Sequence, residues 1–409
     1  MVTKLNKTPI PIPIPIPIPI TEIEQSAFCQ TDSELKSVTL EQEFLKGVRW
    51  QKLPVSYMRT SPEDLRKNIK SARKQLGTRV TILGHHYQRD EVIEFADQRG
   101  DSFKLSQYAA EQKHAEFIIF CGVHFMAETA DILSSPEQKV ILPNLTAGCS
   151  MADMANSDDV EDCWDDLTDV LGPNEVVPIT YMNSTAAIKA LCGKNEGIVC
   201  TSSNASATFD WALQKNKKIL FLPDQHLGRN TGAQKGIPLE EMIVWNPFKP
   251  LGGNTKEQLK DAKIILWQGH CSVHTRFTIK QIEKARTEHP DITVIAHPEC
   301  TLDVVNAADF SGSTEFIKDK INASAAGSTW AVGTEISLVN RIAAENPDKN
   351  IFCLDPVVCP CSTMYRIHPA YLSWILDGIL NGVTINQISV DDQTRAHSKI
   401  ALQRMLEIV

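Results

Sequence analysis

Residues 79–88 read RVTILGHHYQ, a β-rich apolar run that stops at a glycine and is followed by two histidines and a tyrosine. Five such residues are too few for a core helix and suit a strand buried on both faces. The pattern recurs at 117–121 (FIIFC), 139–143 (KVILP), 176–180 (VVPIT), 197–200 (GIVC), 218–222 (KILFL), 263–267 (KIILW) and 292–296 (ITVIA). Weaker runs lie near 307–311, 330–333 and 351–354. Helical stretches separate them, the signature of parallel sheets covered on both faces. One large barrel is conceivable, but the longer breaks near 150–175 and 230–262 favour three small parallel-sheet α/β domains.

In such sheets ligands bind at the carboxyl ends of strands. The unusual side chains fall there: His85, His86 and Tyr87, then Cys149, Tyr181 and Asn183, Thr201 to Asn204, Cys271, and His297 with Glu299. Collected at one edge of every unit, they imply a shared cleft. Cys149, Cys271 and Cys361 each sit in a Gly- or Pro-marked turn, about a hundred residues apart. Structural zinc takes close pairs such as C-x2-C, so single cysteines from distant turns suggest a site where three segments converge, with a fourth position left open.

The chain has 409 residues, 42% of them hydrophobic, enough for two or three compact units. No apolar stretch reaches membrane-span length, and a net charge of −9 argues against nonspecific nucleic-acid binding. Eleven cysteines with no secretory leader point to reduced thiols and a cytoplasmic protein. Residues 9–20 alternate Pro and Ile, which blocks helix and central strand and predicts an extended tail.

Twelve motifs in one order carry a resemblance: GHHYQ (84–88), GDS (100–102), GVHFMAETA (122–130), PNLTAGCSMADM (143–154), YMNST (181–185), TSSNA (201–205), PDQHLGRN (223–230), WQGHCSVH (267–274), HPEC (297–300), GST (312–314), GTE (333–335) and CSTM (361–364). From about residue 76 onward the chain resembles the quinolinate synthase (NadA) family. The resemblance implies three α/β domains in pseudo-threefold arrangement around a central [4Fe–4S] cluster. It implies condensation of iminoaspartate with dihydroxyacetone phosphate to quinolinate, in de novo NAD biosynthesis. Because iminoaspartate hydrolyses in water, L-aspartate oxidase is an expected functional partner. The expected domains are a disordered tail (1–40), a helical extension (41–75), a first unit (76–150, completed by 365–409), a second (151–260) and a third (261–364).

The matching cluster ligands are Cys149, Cys271 and Cys361. Cys359 could also reach the iron, but the family's ligand stands three residues before a methionine, here Met364. Cys359 is then a residue of the core edge, ahead of the alternatives of a spare thiol or a redox partner of Cys361, and Cys300 is read as structural. His85 and Tyr87 match a His-x-Tyr pair suited to shuttling a proton on a triose. Tyr181 and Asn183 match a substrate-binding pair. Ser102, Ser202, Ser313 and Thr314 stand in turns that should open helices and offer anion sites, though each could simply be a cap, and Ser202 is not distinguished from Ser203. Glu299, beside His297, is the leading general base, with a pKa raised by burial and like charge. His274 is expected to contact substrate or sulfur, and Glu335 and Arg229 to lie further back.

Other readings are a diphthamide-type or reductive dehydroxylating iron–sulfur enzyme, a noncatalytic iron–sulfur sensor, and a zinc-structured protein. The first would not carry GHHYQ, HPEC and CSTM together. A sensor should bring a partner- or DNA-binding module, and zinc lacks its cysteine pairs.

Overall fold

In the first sheet, strands β1 (Val80–His85), β2 (Gln98–Gly100), β3 (Phe117–Cys121) and β4 (Lys139–Ile141) all pair in parallel. The computed structural model describes residues 24, 26–30 and 35–408. The second sheet is built from β5 (Val176–Tyr181), β6 (Ile198–Cys200), β7 (Lys218–Leu222), β8 (Met242–Trp245) and β9 (Ile264–Trp267), in the order β6-β5-β7-β9-β8. The third takes β10 (Thr293–Ala296), β11 (Phe310–Ser311), β12 (Thr329–Gly333) and β13 (Asn350–Cys353), in the order β11-β10-β12-β13. A last strand, β14 (Gln387–Ile388), joins the edge of the first sheet antiparallel to β4.

Every residue of β1, β3 and β5 is buried, as expected for strands covered on both faces by crossover helices. The predicted strands therefore appear as strands, in three parallel α/β sheets. Two expected boundaries move. The run 263–267 belongs to the second sheet, not the third, because β9 pairs with β7 and β8. The C-terminal segment is shared between units. Helix Pro369–Leu380 packs on helix Pro62–Leu76, whereas helix Asp392–Glu407 packs on helix Ala186–Lys194 and β6 of the second unit.

The alternating Pro-Ile run at 9–20 lies outside the described residues. The expectation of a disordered tail reaching residue 40 is corrected in part, since Glu24, Phe28 and Leu40 are buried. Phe28 packs against Tyr365, and Thr39 forms a capping box with Gln42 that starts helix Leu40–Glu43. Cys29 and Cys359 form a disulfide, so two of the eleven cysteines are not reduced thiols, and Cys359 is linked to Cys29, not to Cys361. Among the described residues, no helix is long and apolar enough to cross a membrane.

Candidate active site

The carboxyl ends of all three sheets open onto one cavity. Its wall includes His85, Tyr87, Ser102, Cys149, Tyr181, Asn183, Ser202, Cys271, His297, Glu299, Thr314 and Cys361. The three cysteines come from the turns after β4, β9 and β13, one from each unit. None of them is disulfide-bonded. Burial pushes all three thiols up, which favours their protonated form.

Ser313 is off this wall. It caps helix Thr314–Asn322, its hydroxyl accepting from Phe316 N at 3.3 Å. Thr314 opens the helix and lies on the wall, with Oγ1 buried and unpartnered. Ser102 likewise begins helix Ser102–Glu111, capped by Asp101. The Asp101 carboxylate also accepts from Ser203 Oγ at 2.8 Å, which occupies Ser203 and leaves Ser202 as the serine on the wall. Asn183 Oδ1 is a second buried, unpartnered atom there. Two such atoms and two helix starts make a polar lining that lacks partners from the protein, as a small-molecule site does.

Histidine tautomers follow from a local rule of the chain. His85 Nδ1 accepts from Tyr87 N at 3.1 Å, and His297 Nδ1 from Glu299 N at 3.4 Å. An Nδ1 used as acceptor leaves the proton on Nε2. Burial keeps both rings neutral, pushing His85 and His297 down to about 3.

A hydrogen-bonded series joins the wall residues Tyr181, Glu299 and Tyr87. Tyr181 donates to Glu299 Oε1 at 2.6 Å, and His274 Nδ1 donates to Oε2 at 2.8 Å. On the far side of the imidazole, Nε2 is 3.2 Å from Thr334 Oγ1, which is 3.0 Å from the Tyr87 hydroxyl. The expected rise in the Glu299 pKa is corrected. Burial does raise it, but the neighbouring His274 and His297 and the hydrogen bonds from His274 and Tyr181 outweigh that and hold it well below the usual carboxylate range. Glu299 is thus a fixed anion, while burial and its charge push both tyrosines up.

His274 is a member of this series as well as a neighbour of Cys271. The donor atoms of Cys271, His274 and Glu299 lie within 4.8 Å of one another. Thr334 was not singled out in the sequence; its only signal there is a place beside Glu335 in GTE. Glu335, fully buried, accepts from Cys361 N at 3.1 Å and from Ser337 N at 2.8 Å, tying the Cys361 turn to helix Ile336–Glu345. Burial pushes its carboxyl up to about 7. Arg229 is off the wall, its guanidinium 3.5 Å from Gln225 Oε1. Cys300 is buried, with Sγ 3.6 Å from Gly333 O.

Three parallel sheets that pool their strand-end residues around a cavity walled by unpaired thiols define an α/β protein with a buried small-molecule site. The family described as quinolinate synthetase A protein (NadA) matches residues 67–407. A quinolinate synthase of Corynebacterium glutamicum is 58% identical over 361 residues, covering 88% of this chain and 92% of its own. Those of Streptomyces coelicolor and Halalkalibacterium halodurans are 53% and 52% identical, covering 85% and 87% of this chain and 89% and 97% of their own. The chain belongs to the quinolinate synthase family.

Proposed function

We propose that this protein is itself a quinolinate synthase. It condenses iminoaspartate with dihydroxyacetone phosphate and releases quinolinate, inorganic phosphate and two waters. Cys149, Cys271 and Cys361 hold a [4Fe–4S] cluster between the three units in a pseudo-threefold arrangement. The observation that supports the reading most is the meeting of three unpaired thiols, one per sheet, on the wall that also carries Glu299 and the two tyrosines. When bound, such a cluster supplies an iron with an open coordination position, a Lewis acid for a substrate oxygen or nitrogen.

The remaining roles belong to this chain's own residues. The helix starts at Ser102 and Thr314 bind the phosphate and a carboxylate through backbone amides and hydroxyls. Asn183 and Ser202 orient the second carboxylate and the imine. His85, with its proton on Nε2, and Tyr87 move a proton between carbon and oxygen of the triose. The anionic Glu299 accepts from the Tyr181 hydroxyl and orients it toward the condensing substrates. A proton lost at one tyrosine is replaced along the Glu299–His274–Thr334 series. The protein acts in the cytoplasm, on iminoaspartate supplied by an L-aspartate oxidase.

Anaerobic purification, iron and sulfide analysis, and an assay with iminoaspartate generated in situ plus triose phosphate test this. Activity should track cluster content, and colourless apoprotein with full activity would overturn the assignment. Cys149→Ala is expected to lose the iron, whereas Cys359→Ser should keep it. Loss of iron in Cys359→Ser with retention in Cys361→Ser would instead make Cys359 the third ligand.

A further inference from the structure

The cavity is one of two spaces that meet at the three cysteines. The other is an outer bay lined by Cys149, Cys271 and Cys361 together with Arg276, Cys359 and Ser26. Ser26 belongs to an N-terminal arm that precedes the span matched by the family, residues 67–407. The thiols are therefore a partition, with substrate-binding groups on one side and the arm on the other.

The arm is fastened to all three cysteine turns. Its Cys29 is disulfide-bonded to Cys359, two residues before Cys361. Gln30 exchanges both backbone hydrogen bonds with Val358, at 2.9 and 3.0 Å. Glu24, buried, reaches Arg366 at 3.1 Å, and Arg366 donates to Thr146 O at 3.0 Å in the turn that leads to Cys149. Arg276, five residues after Cys271, places Nη1 3.9 Å from Cys29 Sγ. Only the disulfide among these is covalent and chemically reversible. Both of its cysteines are half-buried, within reach of an attacking thiolate.

We infer that Cys29 and Cys359 form a redox-modification site that governs how the cysteine centre is loaded. The inference rests on the reading of Cys149, Cys271 and Cys361 as cluster ligands. A dithiol reductant attacks the Cys29–Cys359 bond through a mixed disulfide. It leaves as the cyclic disulfide, and the two electrons and two protons end on Cys29 and Cys359 as thiols. With the bond open, only noncovalent contacts hold the arm, and the outer bay widens to admit iron and sulfide. A low-molecular-weight disulfide then reoxidises the pair by exchange, taking the two electrons and two protons and leaving as two thiols, and the bay closes behind the assembled centre. A disulfide in a reducing compartment is most often of this transient, sensing kind.

The test uses metal-free full-length protein, kept anaerobic, with the disulfide intact or removed by Cys29→Ser. N-ethylmaleimide labelling is followed at Cys149, Cys271 and Cys361 by peptide mass spectrometry. Labelling should be about tenfold faster in Cys29→Ser, the signature of a local opening. Glu24→Gln, which loosens the arm without touching a thiol, should raise the rate to a lesser degree with the disulfide still intact. Equal rates in all three proteins would overturn the inference. Iron uptake from ferrous iron and sulfide should follow the same ranking, and uptake indifferent to the disulfide would also overturn it. Faster labelling with no iron bound in any protein would defeat the cluster reading instead.

Discussion

His85, His297 and His368 share one device: each Nδ1 accepts the backbone N–H two residues on, at Tyr87, Glu299 and Ala370. The neutral ring is thereby built in, and burial pushes His368 down to about 3. A histidine lowered on folding favours the folded state fully above its unfolded pKa, near 6.5, and loses that contribution as pH falls toward the folded value. The Tm difference between wild type and His368→Gln should therefore shrink from pH 7 to pH 5, as measured by thermal unfolding in matched buffers. In the hydrogen-bonded series proposed to act in catalysis, Thr334→Val removes the hydroxyl between Tyr87 and His274. It should lower kcat about a hundredfold with KM little changed, while Thr334→Ser retains most activity. The cavity residues were largely legible because histidine, tyrosine, cysteine and glutamate at strand ends are conspicuous. Thr334 was not, since a threonine gains meaning only from the imidazole that β12 carries it toward. The Glu299 pKa was misjudged because its sign depends on His274 and Tyr181, distant in sequence but hydrogen-bonded to it.

Helix ends do much of the positioning. Glu335 caps Ile336–Glu345 and anchors the Cys361 amide with the same carboxylate. Glu335→Ala should cost about 1–3 kcal/mol, from the lost cap and the amides left unsatisfied. It should also lower iron retention, both effects read by urea unfolding and iron analysis. Gly193 marks another close approach: a Cβ there would lie 1.9 Å from His397 O on helix Asp392–Glu407. Gly193→Ala should push that helix off its neighbour, at about 1–3 kcal/mol, and make it the first segment cut in limited proteolysis. The long apolar strands could be read from their runs alone. β2 is polar and partly exposed, β8 lies inside a long break, and β14 has two residues, so each is defined by its pairing partner and not by its pattern.

Across the molecule, residues far apart in the chain are joined at the thiol partition. Cys29 and Cys359 are 330 residues apart, and that pairing could not be read from spacing. The three-sheet plan was readable because each sheet is contiguous in sequence except for one strand. That strand, β14, has a consequence for biosynthesis. The edge of the first sheet at Val140 and Ile141 stays open until Gln387 and Ile388 arrive. Lobes generally take shape in order as they leave the ribosome. Here the earliest lobe must wait for the last, with an apolar edge bare through most of translation. Nascent chains stalled before residue 380 should accordingly be protease-sensitive and bind holdase chaperones, whereas released full-length chains should not.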